Sequence, residues 1–236
     1  MNKNLEAVLQ QGEIELKGQF MLGSNYTFLV SVRHAGVEVP AVYKPRRGEQ
    51  DLWDFPEASL AGREVAAFLV SQALGFDFVP FTILRDGPYG PGSLQEYIEH
   101  NPNLHYFTIK PADQPRLRPV ALFDLLVNNA DRKGGHILFQ KRTRKLYLID
   151  HGLCFHAEDK LRTVIWDFAG ERLPPELVSA LEKFHSLLRF KLSPLLGQYL
   201  LPQEVAALDA RLDMLLAHQV FPQPPEDRRS FPYPPL

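Results

Sequence analysis

Apolar and polar residues alternate in three short runs near the start of the chain, at residues 13–20, 26–33 and 37–43. Alternation with a period of two is typical of β-strands that have one buried face. Residues 22–25 and 34–36 separate these runs, and each of them contains a glycine that favours a turn. The pattern therefore predicts an antiparallel meander of three strands.

A helix and two more strands are predicted downstream. Residues 57–74 carry apolar residues at helical spacing, and Gly75 follows them as a stop signal. Two later runs, residues 78–84 and 93–98, predict strands with a turn rich in glycine and proline between them. Residues 1–98 are thus predicted to form a β-rich lobe that carries one helix and ends in a hinge.

Helical patterns dominate the rest of the chain. They cover residues 116–129 and most of the sequence from residue 171 onward, and residues 222–236 are rich in proline. We therefore predict an α+β protein. Its first lobe is followed by a helical second lobe at residues 99–221 and a proline-rich tail.

Composition and charge exclude some partners. The chain has 236 residues, 45% of them hydrophobic, and a formal net charge of −2. This charge provides no basic field to attract nucleic acid, so no nucleic-acid partner is predicted. No run of about 18 apolar residues occurs, so stable membrane insertion is not predicted either. The first residues lack an apolar leader and Cys154 is the single cysteine, which favours a cytoplasmic location.

A tight hairpin is predicted where two apolar runs, residues 136–140 and 145–150, flank a basic turn. Folding this hairpin brings His136 and Asp150 to the same end, and Asp131 lies five residues before His136. Two carboxylates and an imidazole at one point suit a divalent cation together with a general base.

These residues also allow structural interpretations. Asp131 and Arg132 could form a surface ion pair after a helix, which would carry no function. Alternatively, His136, His151 and His156 could form a zinc cluster, although the spacing does not match a known zinc finger.

A lysine ends the apolar third strand. Lys44 occupies this position, and Glu64 follows 20 residues later in the predicted helix. A buried ammonium group requires a partner, and Glu64 would supply one if the helix packs over the sheet. An ammonium group held in this way can bind phosphate oxygens.

Four fragments follow one another in the order found in the protein-kinase-like fold. They are Lys44, Glu64, the sequence NNADRKGGHIL at 128–138 and the sequence LIDHGLCF at 148–155. Together they resemble the bacterial branch of the phosphatidylinositol 3-/4-kinase-like family, with its N-x-D-R loop and Asp-x-Gly-x-x-F segment. The resemblance covers roughly residues 16–155. It implies a two-lobed protein-kinase-like fold with a β-rich first lobe and a helical second lobe.

The resemblance implies a kinase that transfers a phosphoryl group from ATP to a hydroxyl. Asp131 would orient the hydroxyl and accept its proton, and Lys133 would neutralise charge on the transferred group. Lys44 would bind the α- and β-phosphates, while Asp150 and His136 would bind Mg²⁺ or Mn²⁺. The family usually has asparagine at the position of His136. An imidazole favours Mn²⁺ and titrates near ~6.5, which predicts that activity falls between about pH 7 and pH 6.

The resemblance also implies where the nucleotide lies. Ser24 and Asn25 would cover the phosphates with backbone amides, and Gln95, Glu96 and Tyr97 would be the hinge that contacts adenine. The acceptor would be a protein or a small molecule. A lipid acceptor is not expected, because the region after the hairpin lacks a basic segment. A nucleotide-binding pseudokinase that acts as a regulatory interaction module and a nucleotidyl (AMP) transferase are the alternative functions.

Overall fold

One β-sheet, one hairpin and six α-helices are the main elements of the computed structural model, which describes residues 3–20, 25–50 and 52–236. The strands are Glu13–Gln19 (β1), Phe28–His34 (β2), Val37–Pro45 (β3), Thr82–Gly87 (β4), Gly90–Glu96 (β5), Ile137–Phe139 (β6) and Leu146–Leu148 (β7). The helices are Lys3–Gln11 (α1), Leu60–Ala73 (α2), Arg118–Val127 (α3), Pro175–Leu187 (α4), Ser193–Leu196 (α5) and Pro202–His218 (α6). The antiparallel sheet has the order β1-β2-β3-β5-β4, and β6 pairs with β7.

The predicted meander is formed by β1, β2 and β3, which pair antiparallel. Phe28 lies opposite Tyr43 and Val30 lies opposite Ala41, and all four side chains are buried. Residues spaced by two thus share the buried face, as the alternation indicated. Helix α1 was not predicted from the sequence, and it packs against β2 and β3.

Strand β4 begins at Thr82 and not at Phe78 as predicted. The amides of Phe78 and Val79 donate instead to the hydroxyl of Ser71, at 2.8 and 3.2 Å. The side chain of Ser71 therefore satisfies donors that a strand partner would otherwise take. Strand β5 starts at Gly90, before the predicted range of 93–98. Most of the predicted turn that is rich in glycine and proline therefore belongs to the paired strands β4 and β5.

Helix α2 is buried along most of its length. Arg63 on this helix is fully buried and forms an ion pair with Glu204 in the first turn of α6. Its guanidinium also donates to the carbonyl of Cys154. Loss of one partner would leave the other charge buried and unpaired, so the pair fixes α2 against α6. The neighbouring residue, Glu64, is thereby held in place.

Helices α3, α4 and α6 contribute to the same hydrophobic core cluster as the sheet. Leu122, Leu181 and Leu212 contribute one completely buried side chain from each helix. The sheet ends at Glu96 and the first of these helices begins at Arg118, so a boundary between lobes at residue 98 stays a prediction. Of the helices in the described ranges, none is both long and apolar enough to cross a membrane.

The chain after α6 forms neither helix nor strand and returns to the loop before β6. The carbonyl of Ser230 accepts the amide of Thr163 at 3.1 Å, and the carbonyl of Pro235 accepts the amide of Gly134 at 2.8 Å. The proline-rich segment at 222–236 thus packs along the loop that carries Asp131.

Candidate active site

The loop at 128–136 leaves α3 through Asn128, which has a left-handed backbone (φ 52°). Asparagine is among the non-glycine residues that best tolerate this conformation. Its side chain donates to two backbone carbonyls of the segment after the hairpin, at 2.9 and 2.7 Å. The side chain of Asn129 accepts the amide of Asp131 at 2.9 Å. The two asparagines therefore fix the backbone that carries Asp131.

Arg132 belongs to this loop, and its side chain is fully buried in the core. Its Nε is 3.0 Å from both carboxylate oxygens of Asp124 in α3, and one of its terminal nitrogens donates to the carbonyl of Ile149 at 2.9 Å. The hydroxyl of Thr163 donates to Asp124 at 3.3 Å. The structural interpretation of Asp131 and Arg132 as a surface ion pair is therefore wrong, because the partner of Arg132 is Asp124 in the core.

Asp131 is only partly exposed, and its environment changes its acidity. Its carboxylate lies 3.4 Å from the ammonium of Lys133. Burial raises the pKa of Asp131 to about 6, although the Lys133 ammonium opposes this rise. A carboxyl group whose pKa lies near the operating pH is suited to accept a proton during a reaction.

The β6–β7 hairpin brings His136 and Asp150 to one end, as its sequence predicted. The amide of Ile149 donates to the carbonyl of His136 at 3.1 Å, and Nε2 of His136 lies 3.3 Å from Oδ2 of Asp150. Burial lowers the pKa of His136 to about 4, so its imidazole is neutral near pH 7. The nearby ammonium of Lys44 holds the pKa of Asp150 well below its usual range.

Lys44 connects the sheet, α2 and the segment after β7. Its ammonium contacts Glu64 and also Oδ1 of Asp150, the latter at 3.0 Å. Burial alone would lower the pKa of Lys44, but the two carboxylates raise it and keep the lysine charged. The second oxygen of Glu64 accepts the amide of His151 at 3.0 Å. Lys44, Glu64 and Asp150 thus form one connected charge cluster.

The turn predicted to cover the phosphates is described only in part. Ser24 lies outside the described residues. The side chain of Asn25 accepts the amide of Gln50 at 2.7 Å, and the amide of Tyr26 donates to the carbonyl of Gly48 at 3.0 Å. Asn25 is therefore held against the loop that follows β3, beyond Lys44.

The hinge predicted at 95–97 is the end of β5. The buried side chain of Gln95 donates to the hydroxyl of Thr82 at 2.8 Å. The amides of Glu96 and Tyr97 donate to the carbonyls of Phe81 and Pro40, at 2.9 and 3.2 Å, so neither amide is free to contact a base. The next amide along the chain, that of Ile98, donates to no described residue.

The histidines considered as a zinc cluster have separate partners. Nε2 of His151 lies 2.8 Å from a nitrogen of Arg132, and Nε2 of His156 lies 2.8 Å from the carbonyl of Asp54. Neither histidine faces Asp150 in the way His136 does, so the structure does not support the zinc alternative. In the described part of the chain, donor atoms of three possible metal ligands approach within 4.8 Å only in the group His185, Asp209 and Asp213.

Asp124 orders the loop from within the core and was not predicted from the sequence. Its signal was present, because Asp124 is the single charged residue of α3 after Arg118. A carboxylate on a buried face requires partners, and Arg132 and Asn129 are the partners that the structure provides.

Comparison with solved structures defines the class of fold. The proinflammatory kinase CtkA of Helicobacter pylori superposes with a TM-score of 0.53 at 13% sequence identity, over 89% of this chain and 94% of that chain. The structure of hydra Fam20 with sugar superposes with a TM-score of 0.53 at 16% identity, over 92% of this chain and 89% of that chain. The protein therefore has a two-lobed α+β protein-kinase-like fold, with a β-rich first lobe and a helical second lobe.

Sequence comparison defines the family. No protein-family model matches the chain. Protein Rv2133c of Mycobacterium tuberculosis (strain ATCC 25618 / H37Rv) is 38% identical over an alignment 263 positions long, which covers 97% of this chain and 94% of that protein. The chain belongs to the family of Protein Rv2133c.

Proposed function

We propose that the protein is an ATP-dependent kinase that phosphorylates a hydroxyl group. The observation that supports this most directly is the contact of Asp150 with both Lys44 and His136, at 3.0 and 3.3 Å. An ionised carboxylate, a charged lysine and a neutral imidazole at one point suit the polyphosphate of a nucleotide and its divalent cation. The fold shared with CtkA, which is a kinase, supports the same function.

Each group of the site has a distinct role in this proposal. The acceptor oxygen attacks the γ-phosphorus, the bond from that phosphorus to the β,γ-bridging oxygen breaks, and ADP leaves. Asp131 orients the acceptor hydroxyl and takes its proton as the new P–O bond forms. Lys44 binds the phosphates of ATP, and Lys133 offsets negative charge on the transferred group.

Asp150 and His136 would hold the divalent cation. Their donor atoms lie 3.3 Å apart, and the depressed pKa of His136 leaves its imidazole unprotonated near neutral pH. A bound Mg²⁺ or Mn²⁺ would offset the charge of the phosphates, and the imidazole shifts the preference toward Mn²⁺. Nδ1 of His136 accepts the amide of Lys133 at 3.4 Å, so coordination through Nε2 would require the other tautomer.

The finer assignment to phosphatidylinositol 3-/4-kinase-like enzymes rests on the two motifs around Asp131 and Asp150. In this assignment the nucleotide lies between the sheet and the β6–β7 hairpin. Its base contacts the backbone at Ile98, because the amides of Glu96 and Tyr97 already donate to backbone carbonyls of the protein. We propose a protein or a small molecule as the acceptor.

Nucleotide binding and product analysis test the proposed function. We expect ATP with Mn²⁺ or Mg²⁺ to raise the melting temperature, because a ligand at about 100 times its Kd stabilises the folded state by about 2.7 kcal/mol. GTP and ADP, each with and without a cation, complete the panel. Release of ADP supports a kinase, release of pyrophosphate a nucleotidyl transferase, and binding without release a pseudokinase. A protein that no nucleotide stabilises would contradict the proposal.

The pairing of Lys44 with Glu64 predicts non-additive losses of activity. Lys44→Ala and Glu64→Ala should each reduce turnover, and the double variant should be little worse than Lys44→Ala alone. The measurement is kcat/KM for ATP in a double-mutant cycle. The exposed pair of Lys141 and Glu99, 3.1 Å apart, provides the matched control. Alanine substitutions of these two residues should leave kcat/KM unchanged. Strictly additive losses for Lys44 and Glu64 would mean that the two residues act separately.

A further inference from the structure

A short parallel ladder joins the loop of Asp131 to residues 162–164. The amide of Arg162 donates to the carbonyl of Asn129 at 2.9 Å, and the carbonyl of Arg162 accepts the amide of Arg132 at 2.9 Å. The amide of Val164 then donates to the carbonyl of Arg132 at 3.2 Å, and Arg132 pairs with Thr163. Arg162 therefore lies beside Asp131 in this ladder.

Alternation along the ladder places two side chains on its outer face. Arg132 and Thr163 both point inward, since both bond Asp124. Successive residues of an extended strand point to opposite sides, so Asp131 and Arg162 point away from Asp124 on the same side. The pKa of Asp131 also reflects this proximity. Burial has the largest effect and raises this pKa, and the positive charge of Arg162 acts in the opposite direction and lowers it.

Among the described residues, the guanidinium of Arg162 has no hydrogen-bonding or ion-pair partner, although the residue is half-buried. Two other basic side chains close to Arg162 in sequence or contact form ion pairs: Arg228 with Asp159, and Lys160 with Asp54 at 3.1 Å. A guanidinium carries five N–H donors and no acceptor. The Arg162 side chain beside Asp131 is therefore available to bind an anion.

The segment at 222–236 borders this face at two points. The carbonyl of Ser230 accepts the amide next to Arg162, that of Thr163, at 3.1 Å. The carbonyl of Pro235 accepts the amide of Gly134 at 2.8 Å on the other side of Asp131. A molecule that brings a hydroxyl to Asp131 thus meets Arg162 within the same bounded surface.

We propose that the acceptor carries an anionic group, a carboxylate or a phosphate, beside the hydroxyl that is phosphorylated, and that Arg162 binds this group. The inference rests on the proposed kinase function and specifies the chemical class of its substrate. A planar guanidinium binds either anion through two parallel hydrogen bonds, which would orient the acceptor hydroxyl toward Asp131. Lys133 then remains available for the transferred phosphoryl group.

Matched pairs of acceptors test this inference. The pairs are glycerol with glycerol 3-phosphate and glucose with glucuronate, so that one arm tests a phosphate and the other a carboxylate. We expect kcat/KM for ADP release to be about 10- to 100-fold higher for the anionic member of at least one pair. Arg162→Ala should abolish that preference, and Arg162→Lys should keep only part of it.

A control variant separates local binding from overall charge. Arg142 lies in the β6–β7 turn and is exposed, so Arg142→Ala removes the same charge away from Asp131 and should keep the preference. If Arg162 only tuned the acidity of Asp131, its loss would slow anionic and neutral acceptors equally.

The results distinguish this inference from the proposed function. The inference is overturned if no anionic probe releases ADP faster than its neutral counterpart, or if the preference survives in Arg162→Ala. If ATP stabilises the protein and ADP is released without any preference for an anion, only the substrate class is wrong. If no nucleotide stabilises the protein, the kinase function itself is rejected.

Discussion

Replacing Asp150 by asparagine is expected to abolish metal-dependent binding of ATP while the protein stays folded. Asp150 is half-exposed and accepts contacts from Lys44 and His136, so the substitution removes a charge without opening a cavity in the core. An amide keeps the shape of the carboxylate but cannot offset the charge of a divalent cation. We expect phosphoryl transfer to fall by at least about 10²-fold.

Thermal stabilisation by ATP, measured with and without Mn²⁺, checks this result. Asp131→Asn serves as one comparison, because it should retain stabilisation by ATP but lose turnover. Asp113→Asn serves as the matched control, because it removes the same charge at the turn end of the β6–β7 hairpin, where Asp113 pairs with Arg144 at 2.9 Å, and it should behave like the native protein. If ATP stabilised the Asp150→Asn variant to the full extent in a metal-dependent way, Asp150 would not be a residue of the nucleotide and metal site.

The acid side of the pH profile is expected to follow Asp131. This carboxyl group has to be ionised to accept the proton of the acceptor, and burial raises its pKa to about 6. Activity should therefore be present above about pH 6 and fall as the pH drops through that value. The profile of kcat/KM reports groups of the free enzyme, so it is the appropriate measurement. Asp131→Asn should reduce kcat by about 10²- to 10⁴-fold at all pH values.

His136 should leave this part of the profile unchanged. From its unperturbed pKa, the sequence predicted a loss of metal-dependent activity between about pH 7 and pH 6. In the folded protein burial lowers the pKa of His136 to about 4, so the imidazole stays neutral across that range. His136→Asn is expected to move the metal preference toward Mg²⁺ and to keep the midpoint near pH 6. A midpoint that shifts in His136→Asn would show that the histidine, and not Asp131, titrates there.

Local patterns determined much of the fold. The alternation in β1, β2 and β3 and the helical spacing in α2 depend on neighbours within a few residues, so the sequence alone was sufficient to predict them. The hairpin around residues 141–145 is equally local, and it was enough to bring His136 and Asp150 together. The order of Lys44, Glu64 and these two residues then indicated the protein-kinase-like fold.

Short or weakly patterned elements could not be predicted from the sequence. Helix α1 has nine residues, too few to be stable without the sheet on which it packs. The start of β4 depends on Ser71, whose hydroxyl accepts the amides of Phe78 and Val79, seven and eight residues further along the chain. Such hydrogen bonds have no periodic signal, because they link side chains to backbone across separate elements.

Tertiary structure alone decided the chemistry of the site. The contact between Lys44 and Asp150 joins residues 106 positions apart, and the ladder that sets Arg162 beside Asp131 is also non-local. The opposite shifts in the pKa of Asp131 and His136 both follow from burial. The sequence by itself thus determined which residue types and local elements are present. Burial and contacts between distant segments depend on how the whole chain packs, so only the folded structure shows which groups are charged, paired or free.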